Sequence, residues 1–320
     1  MLLSFVISLA VARLLITVFR HAVLDQPNAR SLHERPVPRT GGIAVLCSIT
    51  ASLAFGAADV WPPLAAALVL AILSFVDDLK GVPTWIRLAA HVSVAAVLLW
   101  YLLSPMYYVY LALLTLALAW LTNLYNFMDG SDGLAAGMSL LGFGTYAAAG
   151  WLADDVATAT ACAAIASAAA ALLVYNFHPA KIFLGDVGSI PLGFLAGALG
   201  VLGWRNDAWP LWFPVLVFAP FIADASVTLA RRALRGERVW HAHREHYYQR
   251  FVRMGFGHGR TALGGYALML FCAVAALYGR TQPIAQQGLA LAAALIILVL
   301  AAAWIDLRWA QYSRTGPGST

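Results

Sequence analysis

Residues 106–122 read Met106-Tyr-Tyr-Val-Tyr110-Leu-Ala-Leu-Leu-Thr-Leu-Ala-Leu-Ala-Trp120-Leu-Thr, and the chain continues Asn123-Leu-Tyr-Asn126-Phe-Met-Asp129-Gly130-Ser-Asp132-Gly133-Leu134. The first part carries no charge and does not alternate apolar with polar residues, so it reads as a membrane-spanning helix and not a strand. The second part sets four polar side chains at every third position, where that helix would leave the bilayer. Residues three apart share a helix face, so Asn123 pairs with Asn126 and Asn126 with Asp129. Gly130 and Gly133 then let the chain leave the helix and fold the carboxylates back. Such oxygen-rich ends suit Mg²⁺, which takes one or two carboxylates and shares phosphate oxygens with a substrate; a capped helix end is the plainer alternative.

The rest of the 320-residue chain has the same character. It is 62% hydrophobic and 11% charged, against about 25% charged in soluble domains, and its mean hydropathy is +0.77. That excludes a soluble enzyme, a disordered chain and a DNA-binding module. Eleven apolar segments stand out, at 2–20, 40–58, 61–76, 86–103, 106–122, 133–151, 156–175, 189–203, 210–230, 263–279 and 284–306. Several are short, so ten or eleven transmembrane helices are expected. Lipid tolerates only helices or closed barrels, and the fold class is therefore all-α and polytopic. One membrane domain spans 1–320, with a long cytoplasmic loop at 231–262. Residues 1–19 lack a basic leading region and read as an uncleaved first span. Cys47, Cys162 and Cys272 sit apart in apolar runs and read as small buried hydrophobes.

Of the 20 Lys and Arg residues, 17 fall in the loops after spans 1, 3, 7 and 9 and in the C-terminal tail. The positive-inside rule puts these loops and the C-terminus in the cytoplasm and the N-terminus outside. The net charge of +5 then reflects topology, and no nucleic acid is needed to explain it. Seven of the eight histidines, all but His91, lie on the same side. Positive-inside does not explain these or the carboxylates beside them, so function faces the cytoplasm.

Four further constellations occupy that face. In Asp25–Gly42, three prolines and a Gly pair make a stiff connection, and Arg30, His33 and Arg39 offer donors to a phosphate. Asp77 and Asp78 end span 3, where adjacent carboxylates must be paired, hydrated or metal-bound; Lys80 can neutralise them or hold a phosphate oxygen. Asp186 stands before span 8, where a helix N-terminus receives anions, and Phe183 can face a nucleobase. In the long loop, His241, His243 and His246 can be read as zinc ligands, yet the interleaved Arg244 and Arg250 argue for an anion. Asp224 is an intramembrane acid that is either functional or paired with Arg231 or Arg232. Arg13, His91 and Asp306 read as structural, through snorkelling or interhelical hydrogen bonds.

Taken in order, Asp25-x-Pro27-Asn28-x-Arg30-x-x-His33 with Pro38-Arg39-x-Gly41-Gly42, Phe75-x-Asp77-Asp78, Asn123-x-x-Asn126-x-x-Asp129-Gly130-x-Asp132-Gly133, Phe183-x-Gly185-Asp186-x-Gly188-Ser189 and His243-Arg244-Glu245-His246-Tyr247-Tyr248-Gln249-Arg250 resemble the polyprenyl-phosphate N-acetylhexosamine-1-phosphate transferases, the bacterial glycosyltransferase family 4. The resemblance implies transfer of a sugar-1-phosphate from a UDP-N-acetylhexosamine to undecaprenyl phosphate in the bacterial cytoplasmic membrane, with release of UMP, as the first step of a glycan such as O-antigen. It implies Mg²⁺, with Mn²⁺ as an alternative, and it admits a homodimer.

By the same resemblance Asp186 ligates the metal, assisted by Asn126 or Asp129, and Asp77 contacts or deprotonates the lipid phosphate with Asp78 contributing. Phe183 stacks on uracil, Asp132 helps the nucleotide, and His243, Arg244 and His246 hold the donor. Arg30, His33, Lys80 and Asn123 complete the substrate contacts. The last-loop sequence departs from the His-rich cluster of many relatives, which turns the expected donor from plain GlcNAc toward 6-deoxy sugars such as FucNAc or QuiNAc. A secondary transporter is the competing class, but its sites lie at the bilayer midplane within repeats, and no repeat is evident. A CDP-alcohol phosphatidyltransferase would need a longer Asp array containing an Arg.

Overall fold

The computed structural model describes residues 1–18, 24–25, 32, 36–54, 58–239, 241 and 243–315. Its helices are α1 (Leu2–Val18), α2 (Gly41–Leu53), α3 (Trp61–Lys80), α4 (Thr84–Leu103), α5 (Tyr108–Phe127), α6 (Leu134–Trp151), α7 (Val156–Asn176), α8 (Asp186–Arg205), α9 (Trp212–Val217), α10 (Ala219–Leu234), α11 (Tyr247–Phe251), α12 (Gly257–Gly279) and α13 (Ile284–Thr315). Two short strands, β1 (Leu24–Asp25) and β2 (Val37–Pro38), pair antiparallel with Leu24 opposite Pro38. Each of the eleven apolar segments contains helix. Among the described residues, seven helical stretches are long and apolar enough to cross a bilayer, and α1 and α2 are shorter apolar helices. The chain is an all-α, multi-pass membrane protein.

Four boundaries differ from the sequence reading, and each difference bears on function. Helices α3, α5 and α8 extend past the apolar runs, so Asp77, Asp78, Asn123, Asn126 and Asp186 stand on terminal helical turns. Backbone hydrogen bonding continues where hydropathy falls. Gly41 and Gly42, expected to stiffen a connection, open α2. The ninth segment breaks at Phe218 into α9 and α10, with a proline at the start of the second helix, where a missing N–H costs nothing. The loop expected at 231–262 is largely helical, because α10 runs to Leu234 and α12 begins at Gly257.

Helix α8 is the central element. Of its apolar window 94% is buried, against 11% for α13, and it packs on α3 and α5. Beside it, Tyr125, Phe143, Tyr146, Phe213, Phe218 and Phe221 form a buried aromatic cluster. The Tyr125 hydroxyl donates to Ala135 O at 3.0 Å, tying α5 to α6 across the Asp129–Gly133 turn. The chain reversal that carries Asp129 and Asp132 is thus pinned to the core.

Candidate active site

The site begins where two loops are joined backbone to backbone. Phe183 N–H donates to Pro38 O at 2.7 Å, Gly41 N–H to Phe183 O at 2.8 Å, and Gly42 N–H to Leu184 O at 2.8 Å. Side chains would not fit at this crossing. A Cβ on Gly42 would lie 2.3 Å from Gly188 N, and Gly185 has φ +70° with its Cβ position 2.3 Å from Arg39 O. The glycines of the two motifs therefore bring the first turns of α2 and α8 together and set Asp186 beside Arg39.

Four acidic side chains converge there from two helix ends and a turn. Asp77 Oδ1 accepts from Val82 N–H at 2.6 Å, and its Oδ2 pairs with Arg87 Nη1 at 2.7 Å. Asp78 pairs with Arg39 at 3.2 Å, but its Oδ2 is buried with no hydrogen-bond partner. Asp186 accepts from the Asn126 side chain, and Asp129 accepts from Gly185 N–H. Asp186 is close enough to Asp77, Asp78 and Asp129 for their charges to oppose one another, and Asp25 adds to the field at Asp78 and Asp129. Burial first, and then the Asp186 and Asp25 carboxylates, push Asp129 well above the usual carboxylate range, while the Gly185 N–H opposes this.

This crowding fits a divalent cation. Among the described residues, no three His, Cys, Asp or Glu side chains form a ready-made cage. Asp129, Asp186 and Asn126 instead supply two carboxylates and an amide, the partial set that Mg²⁺ completes with water and phosphate oxygens; Mn²⁺ accepts the same donors. The unpartnered Asp78 oxygen and the mutual repulsion of the carboxylates show negative charge that Arg39 and Arg87 do not use up.

The remaining predicted residues divide. Phe183 stands partly buried at the loop crossing, and Lys80 is exposed on the last turn of α3. Asn123 donates to Ala119 O at 2.7 Å and is bonded to His91 of α4, so its side chain is spent between helices. Asp132 faces a different set: His178 Nδ1 at 2.7 Å, Ala180 N–H at 3.2 Å, and His258 Nδ1 at 3.8 Å. Arg30 and His33 lie outside the described residues.

In the last loop, His246 Nδ1 meets Asp224 Oδ1 at 3.1 Å, and the N–H groups of Tyr247 and Tyr248 donate to the same carboxylate at 2.9 and 3.0 Å. Asp224 therefore pairs with neither Arg231 nor Arg232; it anchors the first turn of α11. Because His246 is buried against it, His246 orients the loop. His243 and Arg244 precede this anchor, half-buried. Burial, then His246 and Arg232, push the His243 imidazole down to about 4, which leaves it neutral at pH 7. Burial works against the charge of Glu245, but Arg235 and Arg232 outweigh it and hold the carboxyl below its usual range. The zinc reading of the loop has no support among the described residues.

Sequence reasoning missed Arg87, the partner of Asp77, because a lone basic residue at a helix start looks like topology. It passed over His178 and His258 as site residues, whose rings stack 5.5 Å apart beside Asp132. It also missed Asn176, which donates to Ile182 O at 2.9 Å and braces the turn before Phe183.

The chain is similar in sequence to known proteins. The family model described as glycosyl transferase family 4 matches residues 60–204, the stretch from α3 through α8. A probable undecaprenyl-phosphate N-acetylglucosaminyl 1-phosphate transferase of Bacillus subtilis is 25% identical over 86% of this chain and 83% of its own length. A decaprenyl-phosphate N-acetylglucosaminephosphotransferase of Mycolicibacterium smegmatis is 27% identical over 89% of this chain and 83% of its own. A phospho-N-acetylmuramoyl-pentapeptide-transferase of Shouchella clausii is 29% identical over 75% and 82%. Over α3 to α8 the chain is thus similar to glycosyl transferase family 4, and over most of its length to transferases that act on polyprenyl phosphates.

Proposed function

We propose that this protein transfers an N-acetylhexosamine-1-phosphate from a UDP-sugar to undecaprenyl phosphate, releasing UMP and leaving a lipid-linked pyrophosphate sugar. The observation that carries this reading is the convergence of Asp78, Asp129 and Asp186 with Arg39 and Arg87 at the ends of α3, α5 and α8. A site at helix ends is where a membrane-held phosphate and a water-soluble nucleotide sugar can meet. The positive-inside bias supports a cytoplasmic position for that end and an N-terminus outside, and the polyprenyl-phosphate enzymes among the relatives support the bacterial cytoplasmic membrane.

An oxygen of the lipid phosphate attacks the β-phosphorus of the donor, and the bond from that phosphorus to the bridging oxygen breaks as UMP leaves. Negative charge accumulates on both sides of this displacement, and Arg39 and Arg87 offset part of it. Asp129, Asp186 and Asn126 would hold Mg²⁺, which would supply the remaining charge compensation. Both oxygens of Asp77 are engaged, so Asp77 holds Arg87 in place, and the carboxylate oxygen left without a partner is the buried Oδ2 of Asp78. No strong base is required, since the second phosphate pKa is about 6 and the acceptor is largely dianionic at neutral pH. Phe183 offers its face to uracil, Asp132 lies toward the nucleotide, and His243 and Arg244 meet the donor's phosphates or sugar. The last-loop sequence favours a 6-deoxy sugar over plain GlcNAc, and an O-antigen-type glycan as destination.

The test is to incubate purified protein with undecaprenyl phosphate, Mg²⁺ and UDP-GlcNAc, UDP-QuiNAc or UDP-FucNAc and to measure UMP. Lipid-dependent UMP from at least one donor is expected. None from any donor refutes the transferase, and equal rates with all three refute the donor inference.

A further inference from the structure

Helix α13 is read from sequence as a plain final span, yet its 32 residues at ~1.5 Å each reach about 48 Å, well beyond a ~30 Å hydrocarbon core. Its last turns therefore project past the bilayer, and they carry Trp304, Asp306 and Trp309. Both Asp306 oxygens accept from Arg231 Nη1, at 3.0 and 2.8 Å. Oδ1 also accepts from Arg250 Nη1 at 2.9 Å, and Oδ2 from the Tyr247 hydroxyl at 3.2 Å. The Arg250 and Arg253 guanidinium groups lie 5.8 and 4.7 Å from the Trp309 ring, and Phe251 and Phe256 each lie 6.0 Å from Trp304. One carboxylate and two indoles thus grip the whole turn 247–256.

That turn bears directly on the acidic centre. The Tyr248 hydroxyl donates to Phe127 O at 3.0 Å and sits where a Cβ on Gly130 would come within 2.2 Å, between Asn126 and Asp132. Nothing in the proposed chemistry uses Asp306 itself. Arg250 is 9% exposed, and its other carboxylate, Glu245, is 4.0 Å away. Without Asp306 the buried guanidinium loses its close partner, an unfavourable state that the turn relieves by moving Arg250 toward water.

We infer that Asp306 is a positioning residue, holding the Tyr247–Arg250 turn so that His243 and Arg244 are presented to the nucleotide sugar beside Asp129. The inference rests on the reading that this segment serves the donor, and the experiment separates the two. In full-length protein, Asp306→Ala raises the KM for the UDP-sugar by about tenfold, changes the KM for the lipid phosphate by less than about twofold, and is restored to within about threefold by Asp306→Glu. In the same samples, amide exchange of 243–256 in Asp306→Ala quickens by about tenfold while that of 186–205 is unchanged. Unchanged exchange at 243–256 overturns the clamp. Exchange that rises equally in both segments also overturns it, because Asp306 is then only a stability residue. A clamp that loosens with no selective rise in the donor KM, or in a protein that turns over no UDP-sugar, overturns the link to the donor and leaves the clamp standing.

Discussion

Around Asp186 the chain is held by backbone against backbone, and around His243 it is held by side-chain charge. The first region has glycines at the α2–α8 crossing, three interloop amide bonds, and a helix with 94% of its apolar window buried. The second has Asp224 and Asp306 gripping α11, with Glu245 just before that helix paired to Arg232 and Arg235 of α10. Packed backbone has little freedom to adapt, so the acidic centre is suited to chemistry that must not vary. Ion pairs can be exchanged one at a time, so the other region is suited to a substrate that differs between relatives. The contrast can be broken at either end.

The largest effect is expected at the packed end. Asp186→Ala removes the carboxylate opposite Asp129, and kcat falls by about a thousandfold or more, with Mg²⁺ titration curves shifted to higher concentration. Full Mg²⁺-dependent turnover in that variant would show that the packed region is not the chemical one. Gly42→Ala tests the packing itself: a methyl 2.3 Å from Gly188 N must push two helices apart, at a cost of about 1–3 kcal/mol, read as a lower thermal midpoint in detergent. At the charged end, Asp224→Asn weakens the anchor of the α11 turn, and the donor KM rises by about tenfold, or ~1.4 kcal/mol, with kcat less affected.

Smaller effects follow. His243 should titrate near 4 in the folded protein, as an imidazole resonance that stays neutral from pH 7 to 5. The unfolded chain takes up that proton near 6.5, so it binds more protons than the folded chain between about 6.5 and 4, and His243 makes stability fall with acid in that window only. A midpoint above 6 would mean that the loop carries positive charge to the donor after all. Least of all, Arg235→Ala removes an exposed pair with Glu237 and Glu245, each at 2.5 Å, and should change turnover by less than about twofold, less still at high salt.

Much of this was legible in the sequence because lipid makes a simple demand. Charge-free runs had to be helices, and polar groups at their ends had to have a purpose, so the spans and the acidic motifs could be read before any contact was known. Helix ends were less legible: α3, α5 and α8 continue into polar residues that hydropathy counts as loop. Partners were least legible. Asp224, read as either functional or paired with Arg231 or Arg232, anchors α11 instead, and Asp306, read as structural through snorkelling or interhelical hydrogen bonds, makes such bonds to two arginines and Tyr247 whose identity the sequence did not show. Such pairings join residues 22 to 75 positions apart, and only the packing of α10, α11 and α13 decides them.

The central claim is that the phosphate travels with the sugar. It is tested most directly with a UDP-N-acetylhexosamine labelled in its β-phosphate, purified protein, undecaprenyl phosphate and Mg²⁺, by following the label into the organic phase. The account predicts that the label moves to the lipid, one for each UMP released, and that Asp186→Ala abolishes this movement. Label that stays in the aqueous phase as UDP while the sugar reaches the lipid would mean attack at the sugar carbon, and would contradict it.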